Sequence, residues 1–459
     1  EAGVVRWSAA RAYATSSPRA GWNEQDPADW LEAADEVLAA AAASGHRIRG
    51  VGLTGQMHTL VAAGADGQPL RPAVLWSDQR AAAYGRALEE RYRRDHLLAW
   101  TGNLPLSNFT LLRLLWLRDH EPAVYGSIRR AAVAKDWLRA HLTGWWGSDV
   151  TDASGTYLLD VGRRTWRSEW MAEMAIDSAW WGPVVESPTP VGELTRAPDT
   201  LRGVPVVAGA GDQEASAVGS GLGEGDLGLS VGTSGVLFWE VEAYRLPPHP
   251  SVHVFCHARP GRWHWMAVTQ AAAASLRWLR DALFPDRTYA ELDAVAAEAP
   301  AGSEGLLFLP YLEGERAPIL RPQARGAFVG LTGRHTRAHV VRSVLEGVAL
   351  SLRHCLEAMR SDTAAVRPRR AVLTGGGARS PLWAHILADV LGLEVAVADD
   401  PGAAVGAAWL ARWGVDGEAS PYPLRVRATF SPGPARDLYE TMFARYLEVV
   451  GALEPPAGG

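Results

Sequence analysis

Four apolar runs in this chain end directly in glycine, and no other feature constrains the fold as much. Ile48–Thr54 runs into Gly55-Gln56-Met57-His58, and Val204–Ala208 into Gly209-Ala210-Gly211-Asp212. Leu227–Ser230 leads to Val231-Gly232-Thr233-Ser234-Gly235, and Ala371–Thr374 to Gly375-Gly376-Gly377-Ala378. A short apolar run bounded by turn residues reads as a buried strand. Glycine at its end lets the main chain turn sharply or approach a ligand closely. In open α/β sheets, ligands lie in the crevice beyond such strand ends.

Helical periods fall between the strands. Asp26 can cap a helix that starts at Pro27, and Trp30, Leu31, Ala34, Val37 and Leu38 recur at helical spacing up to Ala43. A long helix is predicted over Thr336–Met359, shorter ones over Gln213–Val218 and Pro381–Leu391, and a hairpin over His253–His257 and Trp263–Thr269. Alternating strands and helices with hairpins mixed in imply α/β domains with mixed sheets. At 459 residues, and roughly 150 per domain, the chain divides into more than one unit around a ligand cleft. The expected division is a first domain over 1–224, a second over 225–445 and a flexible tail over 446–459.

Composition excludes several classes. A net charge of −6, a pI near 6.1 and scattered arginines argue against recognition of nucleic acid. Apolar windows such as Val37–Ala43 fall far short of the roughly 18 residues that cross a bilayer, so no membrane partner is expected. Cys256 and Cys355 alone make no disulfide framework, which points to a cytoplasmic setting. Of 45 basic residues one, Lys135, is lysine.

The two turns Gly232–Gly235 and Gly375–Gly377 suggest backbone amides offered to phosphate, although hairpin and strand-to-helix turns need glycine too. Neither is a P-loop, because no G-x-x-x-x-G-K-[ST] occurs. The dinucleotide pattern is also incomplete, with Ser380 at its third glycine. From the residues alone, Asp212 reads first as the N-cap of the short helix that follows it.

Several segments carry a resemblance that spans almost the whole chain. Gly55-Gln56-Met57-His58, Leu75-Trp76-Ser77-Asp78-Gln79-Arg80, Lys135-Asp136-Trp137-Leu138, Gly209–Asp212, Leu229–Gly235, Phe308–Leu312, Gly314-Glu315-Arg316 and Gly375–Trp383 resemble the FGGY carbohydrate kinases, the xylulokinase branch in particular. That resemblance implies two ribonuclease-H-like domains of the actin-like ATPase type, with sugar on the first and ATP on the second. It implies a kinase that moves phosphate from ATP to a sugar hydroxyl, with Mg²⁺ accompanying ATP. The first expectation is D-xylulose to D-xylulose 5-phosphate; the alternatives are gluconate or another polyol, or a catalytically silent sugar-binding relative. The resemblance assigns Asp212 as general base, Met57, His58, Asp212 and Gln213 to the sugar, and Gly232, Thr233, Ser234, Gly235, Gly376, Gly377 and Ala378 to the nucleotide. Lys135 is expected to be structural, no protein-bound metal is expected, and a homodimer is left open.

The chain also departs from the family pattern. Thr59, Asn108 and Arg113 stand at positions where glycine, glycine and lysine are usual, and Glu315-Arg316-Ala317-Pro318 has the flavour of gluconokinases. Family members open on a hairpin carrying D-x-G-T-S. Here Glu1–Val5 reads as the turn and strand that follow it, so roughly 20 residues, one hairpin of typical strands, are expected to be missing.

Overall fold

Asp26 Oδ1 accepts from Ala28 N at 2.9 Å with Pro27 at the first helical position, so the helix Pro27–Ala43 starts where the sequence predicts. The computed structural model describes residues 3–360, 368–399, 402–417, 419 and 422–452. In it Trp30 packs this helix against Val61, Ala73 and Ala132 of a four-stranded antiparallel sheet. The strand order is Glu24–Gln25, Ala73–Val74, Leu60–Ala63 and Arg130–Val133.

Ile48–Thr54, expected as one strand, is only partly paired. Val51 bridges Val206, and the two-residue strand Thr54–Gly55 pairs in parallel with Ala210–Gly211. Between the two pairings Gly209 takes φ +79°, and a side chain there would lie 2.0 Å from Leu53 O. The ladder breaks because a left-handed turn and a close backbone approach coincide at one residue.

A mixed sheet of seven strands organises the second half. Its order is His253–Cys256, Trp263–Thr269, Gly235–Val241, Asp226–Val231, Arg370–Thr374, Glu394–Ala398 and Val426–Phe430. The central strands Asp226–Val231 and Arg370–Thr374 run parallel with Ser230 opposite Thr374. Both are largely buried, as strands covered on two faces must be. The helix Arg337–Arg360 lays Val341, Val344, Leu345, Val348, Leu352, Leu356 and Met359 on this core. The predicted hairpin His253–Thr269 forms the sheet edge and leans on the first half, where Phe255 and Met266 join the cluster around Phe109 and Leu111. Asn103 fastens it there: its Oδ1 accepts from Val254 N at 3.1 Å, and its Nδ2 donates to Val254 O at 2.9 Å.

The tail expected from residue 446 is corrected in part. Arg436–Ala452 is one helix with Tyr446 and Val450 buried, because an apolar stripe carries it on to Val450; residues 453–459 lie outside the described residues.

The helix Gly402–Asp416 packs on Asp212–Gly219 of the first half. The two backbones touch: a Cβ at Gly406 would lie 1.7 Å from Ala215 O, and one at Gly219 would lie 2.8 Å from Gly402 O. Gly406→Ala should therefore cost about 1–3 kcal/mol of stability or more, read as a lowered midpoint in urea unfolding. An unchanged midpoint would mean that the two helices can part without loss.

Candidate active site between the two halves

The parallel pair Thr54–Gly55 and Ala210–Gly211 ends with both strands side by side, so Met57, His58 and Asp212 emerge from one sheet edge. Gly211 seals them together: a Cβ there would lie 2.6 Å from Met57 Cγ and 2.7 Å from Glu214 Oε2. Asp212 is the first residue of the helix Asp212–Gly219, with Gly211 at the cap, and its Oδ1 accepts from Gln213 N at 3.0 Å. The carboxyl is half-buried in the cleft. Loss of solvent and then the neighbouring Glu214 push its pKa up to about 7, against the pull of the Gln213 and Met57 backbone amides.

His58 is buried at φ +67°. Its Nδ1 lies 2.7 Å from Gly155 O and must carry the hydrogen there, which leaves Nε2 as a bare acceptor. Burial holds its pKa down at about 3, so the ring is neutral. Thr110 Oγ1 donates to His58 O at 2.9 Å, and the Phe109 ring stands edge-on at 5.2 Å.

The glycine turns of the second half sit at one sheet edge, because the strands that feed them are in register at Ser230 and Thr374. Gly376 faces open space, a Cβ at Gly232 would meet only Ser234 O at 3.7 Å, and Thr233 is exposed. Gly235, Gly377 and Ala378 are buried instead. A Cβ at Gly377 would meet Val231 Cγ1 at 2.5 Å, and one at Gly235 would meet Leu352 at 2.7 Å. Part of the predicted nucleotide set is thus small to let the turns pack, and only part of it fronts the cleft. A cavity of about 140 Å³ joins the halves, lined by Gln213, Ser216 and Ser220 on one side and by Ser230, Thr374 and Phe238 on the other.

Below the turn at Gly209 lies a buried ionic cluster. Lys135 Nζ stands 2.6 Å from Asp136, 3.0 Å from Asp149, 3.3 Å from Asp152 and 3.0 Å from Ala208 O, while Arg139 reaches Asp136 and Ala208 O at 2.7 Å. Among the described residues, Asp136, Asp149 and Asp152 form the one group of carboxyls close enough to hold a metal ion. The Lys135 ammonium already serves as their cation. Burial raises the Asp152 pKa well above the ordinary value, while Lys135 keeps its proton because its carboxylates outweigh desolvation.

Sequence reading missed two features. Glu214, behind Asp212, approaches His264 Nε2 of the second half at 3.2 Å, and both side chains are fully buried. Burial pushes Glu214 up to about 8 and His264 down to about 3, so the contact joins a neutral acid to a neutral imidazole. Arg316 was noted in a family-like segment but given no role, although its charge bears on His58. Both depend on residues far apart in the chain.

Known proteins resemble both halves. The family model for the FGGY family of carbohydrate kinases, N-terminal domain, matches residues 1–219, and that for the C-terminal domain matches residues 227–415. The chain is 37% identical to a xylulose kinase of Escherichia coli (strain K12) over 92% of this chain and 87% of that protein. A crystal structure of xylulose kinase from Rhodospirillum rubrum superposes with a TM-score of 0.90 at 32% identity, covering 96% of this chain and 93% of that one. A gluconate kinase structure from Lactobacillus acidophilus gives 0.91 at 25% identity, over 96% and 92%. No helix among the described residues is long and apolar enough to cross a membrane.

The Glu214 environment sets a pH-dependent stability. The folded state keeps the Glu214 proton to about pH 8, whereas the ordinary carboxyl loses it near 4.5. Stability from this group is therefore full below the ordinary pKa and is lost as pH rises toward 8. Glu214→Gln removes that loss, so its melting temperature should gain on that of the unchanged protein across this interval. A difference independent of pH would show that Glu214 ionises normally.

Proposed function

The chain belongs to the FGGY family of carbohydrate kinases, and from that premise we propose that it transfers the terminal phosphoryl group of ATP to D-xylulose, giving D-xylulose 5-phosphate, with Asp212 as general base. Its two-domain mixed α/β fold is that of this family, and the family activity is ATP-dependent phosphorylation of a sugar. One observation carries the assignment of the base: the Asp212 carboxyl, tuned to about 7, lies in the cleft beside Gln213, whose cavity reaches the strands that feed both glycine turns.

The residues divide the work by their chemistry. His58 Nε2 accepts from a sugar hydroxyl because Nδ1 is already spent on Gly155 O. The Gln213 amide can donate and accept at neighbouring hydroxyls, and Met57 backs the site from beneath Gly211. Asp212 takes the proton from the attacking hydroxyl as its oxygen bonds to the terminal phosphorus and the bond to ADP breaks. The Gly376 amide and the Thr233 and Ser234 hydroxyls hold the phosphates, while Gly232, whose own amide donates to Ser234 O at 3.1 Å, shapes its turn, as Gly235, Gly377 and Ala378 do theirs. Magnesium belongs to the ATP substrate, whose phosphate charge it offsets; the only carboxyl cluster close enough for a metal among the described residues is filled by Lys135.

Gluconate is the second reading, supported by the gluconate kinase likeness and by Glu315-Arg316-Ala317-Pro318. ADP release measured with D-xylulose and D-gluconate in parallel decides between them, and turnover of gluconate alone would reject D-xylulose.

Replacing the base by its amide, Asp212→Asn, should lower kcat by about 10²–10⁴-fold while sugar-induced thermal stabilisation persists. Turnover close to that of the unchanged protein would remove Asp212 from the role. The base works only when ionised, so kcat should fall about tenfold per pH unit below about 7. A flat profile from pH 8 to about 5 would contradict the tuning of this carboxyl.

A further inference from the structure

Arg316 has one carboxyl whose charge bears on it, that of the adjacent Glu315, and makes no direct contact with it through its guanidinium. It is half-buried, and among the described residues its guanidinium makes neither an ion pair nor a side-chain hydrogen bond. The adjacent carboxyl is engaged through one oxygen: Glu315 is buried, its Oε1 accepts from Gln270 N and Arg316 N, both at 2.7 Å, and its Oε2 makes no hydrogen bond. Burial also pushes Glu315 up to about 7, which weakens it as an anion.

The backbone around Arg316 is fixed to two functional elements. Ala317 N donates to Val268 O at 3.1 Å, on the strand Trp263–Thr269. Just past that strand Ala272 N and Ala273 N donate to Thr233 O and Gly232 O at 2.9 and 2.8 Å, so the same stretch of chain supports the phosphate-side turn. The Arg316 charge also bears on His58 and His253, lowering the proton affinity of each. Both rings border Phe109, at 5.2 and 5.8 Å, and Phe255, at 6.1 and 5.3 Å. The segment Arg316-Ala317 is therefore tied to the strand that leads to the nucleotide-side turn, and its charge is felt at the histidine on the sugar side.

A half-buried guanidinium with no side-chain acceptor leaves its fork of donors open at the cleft, where a ligand can supply the acceptors. We propose that Arg316 is a further substrate-contacting residue, donating from the second half of the protein to oxygens of the sugar held at His58. The inference rests on the sugar site at Met57, His58 and Gln213. A planar fork of donors suits two adjacent electron-rich oxygens. The sugars selected are those that present a carbonyl beside a hydroxyl, or a carboxylate, at the end away from the attacked hydroxyl; an alditol lacking both is a poorer substrate. Glu315 is a positioning residue that fixes the Arg316 backbone.

Steady-state kinetics of Arg316→Gln and Arg316→Lys with D-xylulose and ATP test the assignment. The expected result is a rise of at least tenfold in the sugar KM for the glutamine variant, a smaller rise for the lysine variant, and an ATP KM within twofold. For Glu315→Ala the sugar KM should also rise, and for Glu315→Gln by less, because an amide oxygen still accepts the two backbone N–H groups. An unchanged sugar KM in Arg316→Gln, or a rise in the ATP KM alone, would overturn the proposal. Thermal stabilisation by ADP checks that each variant is folded. If the unchanged protein turns over gluconate but not D-xylulose, the substrate assignment fails while Arg316 is judged with gluconate. If it turns over neither, the kinase reading fails, and Arg316 is judged by whether sugar-induced stabilisation is lost in Arg316→Gln; its persistence overturns the contact.

Discussion

The site depends on a buried ammonium. Lys135 is fully enclosed, surrounded by Asp136, Asp149 and Asp152, and a charge in that position is tolerable only because it is paired and hydrogen-bonded. Two cations, Lys135 and Arg139, face three carboxyls, and Asp152 holds its proton beyond the ordinary range, which brings the cluster toward balance. Both cations also take the carbonyl of Ala208. The chain therefore enters the turn at Gly209 from an anchored point, and the carboxyl of Asp212 is placed four residues beyond that anchor.

Burial then acts on the functional groups in opposite directions. The same loss of solvent that raises Asp212 lowers His58, because water favours the charged form of each. A carboxylate near 7 is a stronger base than an ordinary one, and an imidazole that stays neutral keeps a lone pair for a hydroxyl. One physical cause thus prepares two unlike partners for the same substrate.

Much of this was legible in the sequence where the controlling forces are local. The cap at Asp26, the stripe of the helix Arg337–Arg360 and the helix Pro381–Leu391 follow from neighbours within a turn or two. Met57, His58 and Asp212 were located as strand-end residues, and the parallel pairing of their strands brings them together. Other features depend on contacts that no local pattern records. The strand expected over Ile48–Thr54 is interrupted because Gly209, some 150 residues on, presses against Leu53. Glycine in the nucleotide turns has two physical reasons under one letter: open space in front of Gly376, and the Val231 side chain against Gly377. The single lysine was conspicuous, but two of its three carboxyl partners lie outside its own segment. His264 and Glu214 meet although they stand 50 positions apart, a separation at which sequence periodicity carries no signal.

The contact between Gly406 and Ala215 has a mechanical meaning. It joins a helix from the second half of the chain to the helix that begins at Asp212, at a spacing too small for even a methyl group. Rigid bodies in such contact turn about it more readily than they slide past it. Any swing of one half against the other would take this contact as its fulcrum. Atoms near a fulcrum travel least and those on a long arm travel most, so the base, four residues or fewer from this contact along its helix, would stay almost still while parts of the second half farther from it moved.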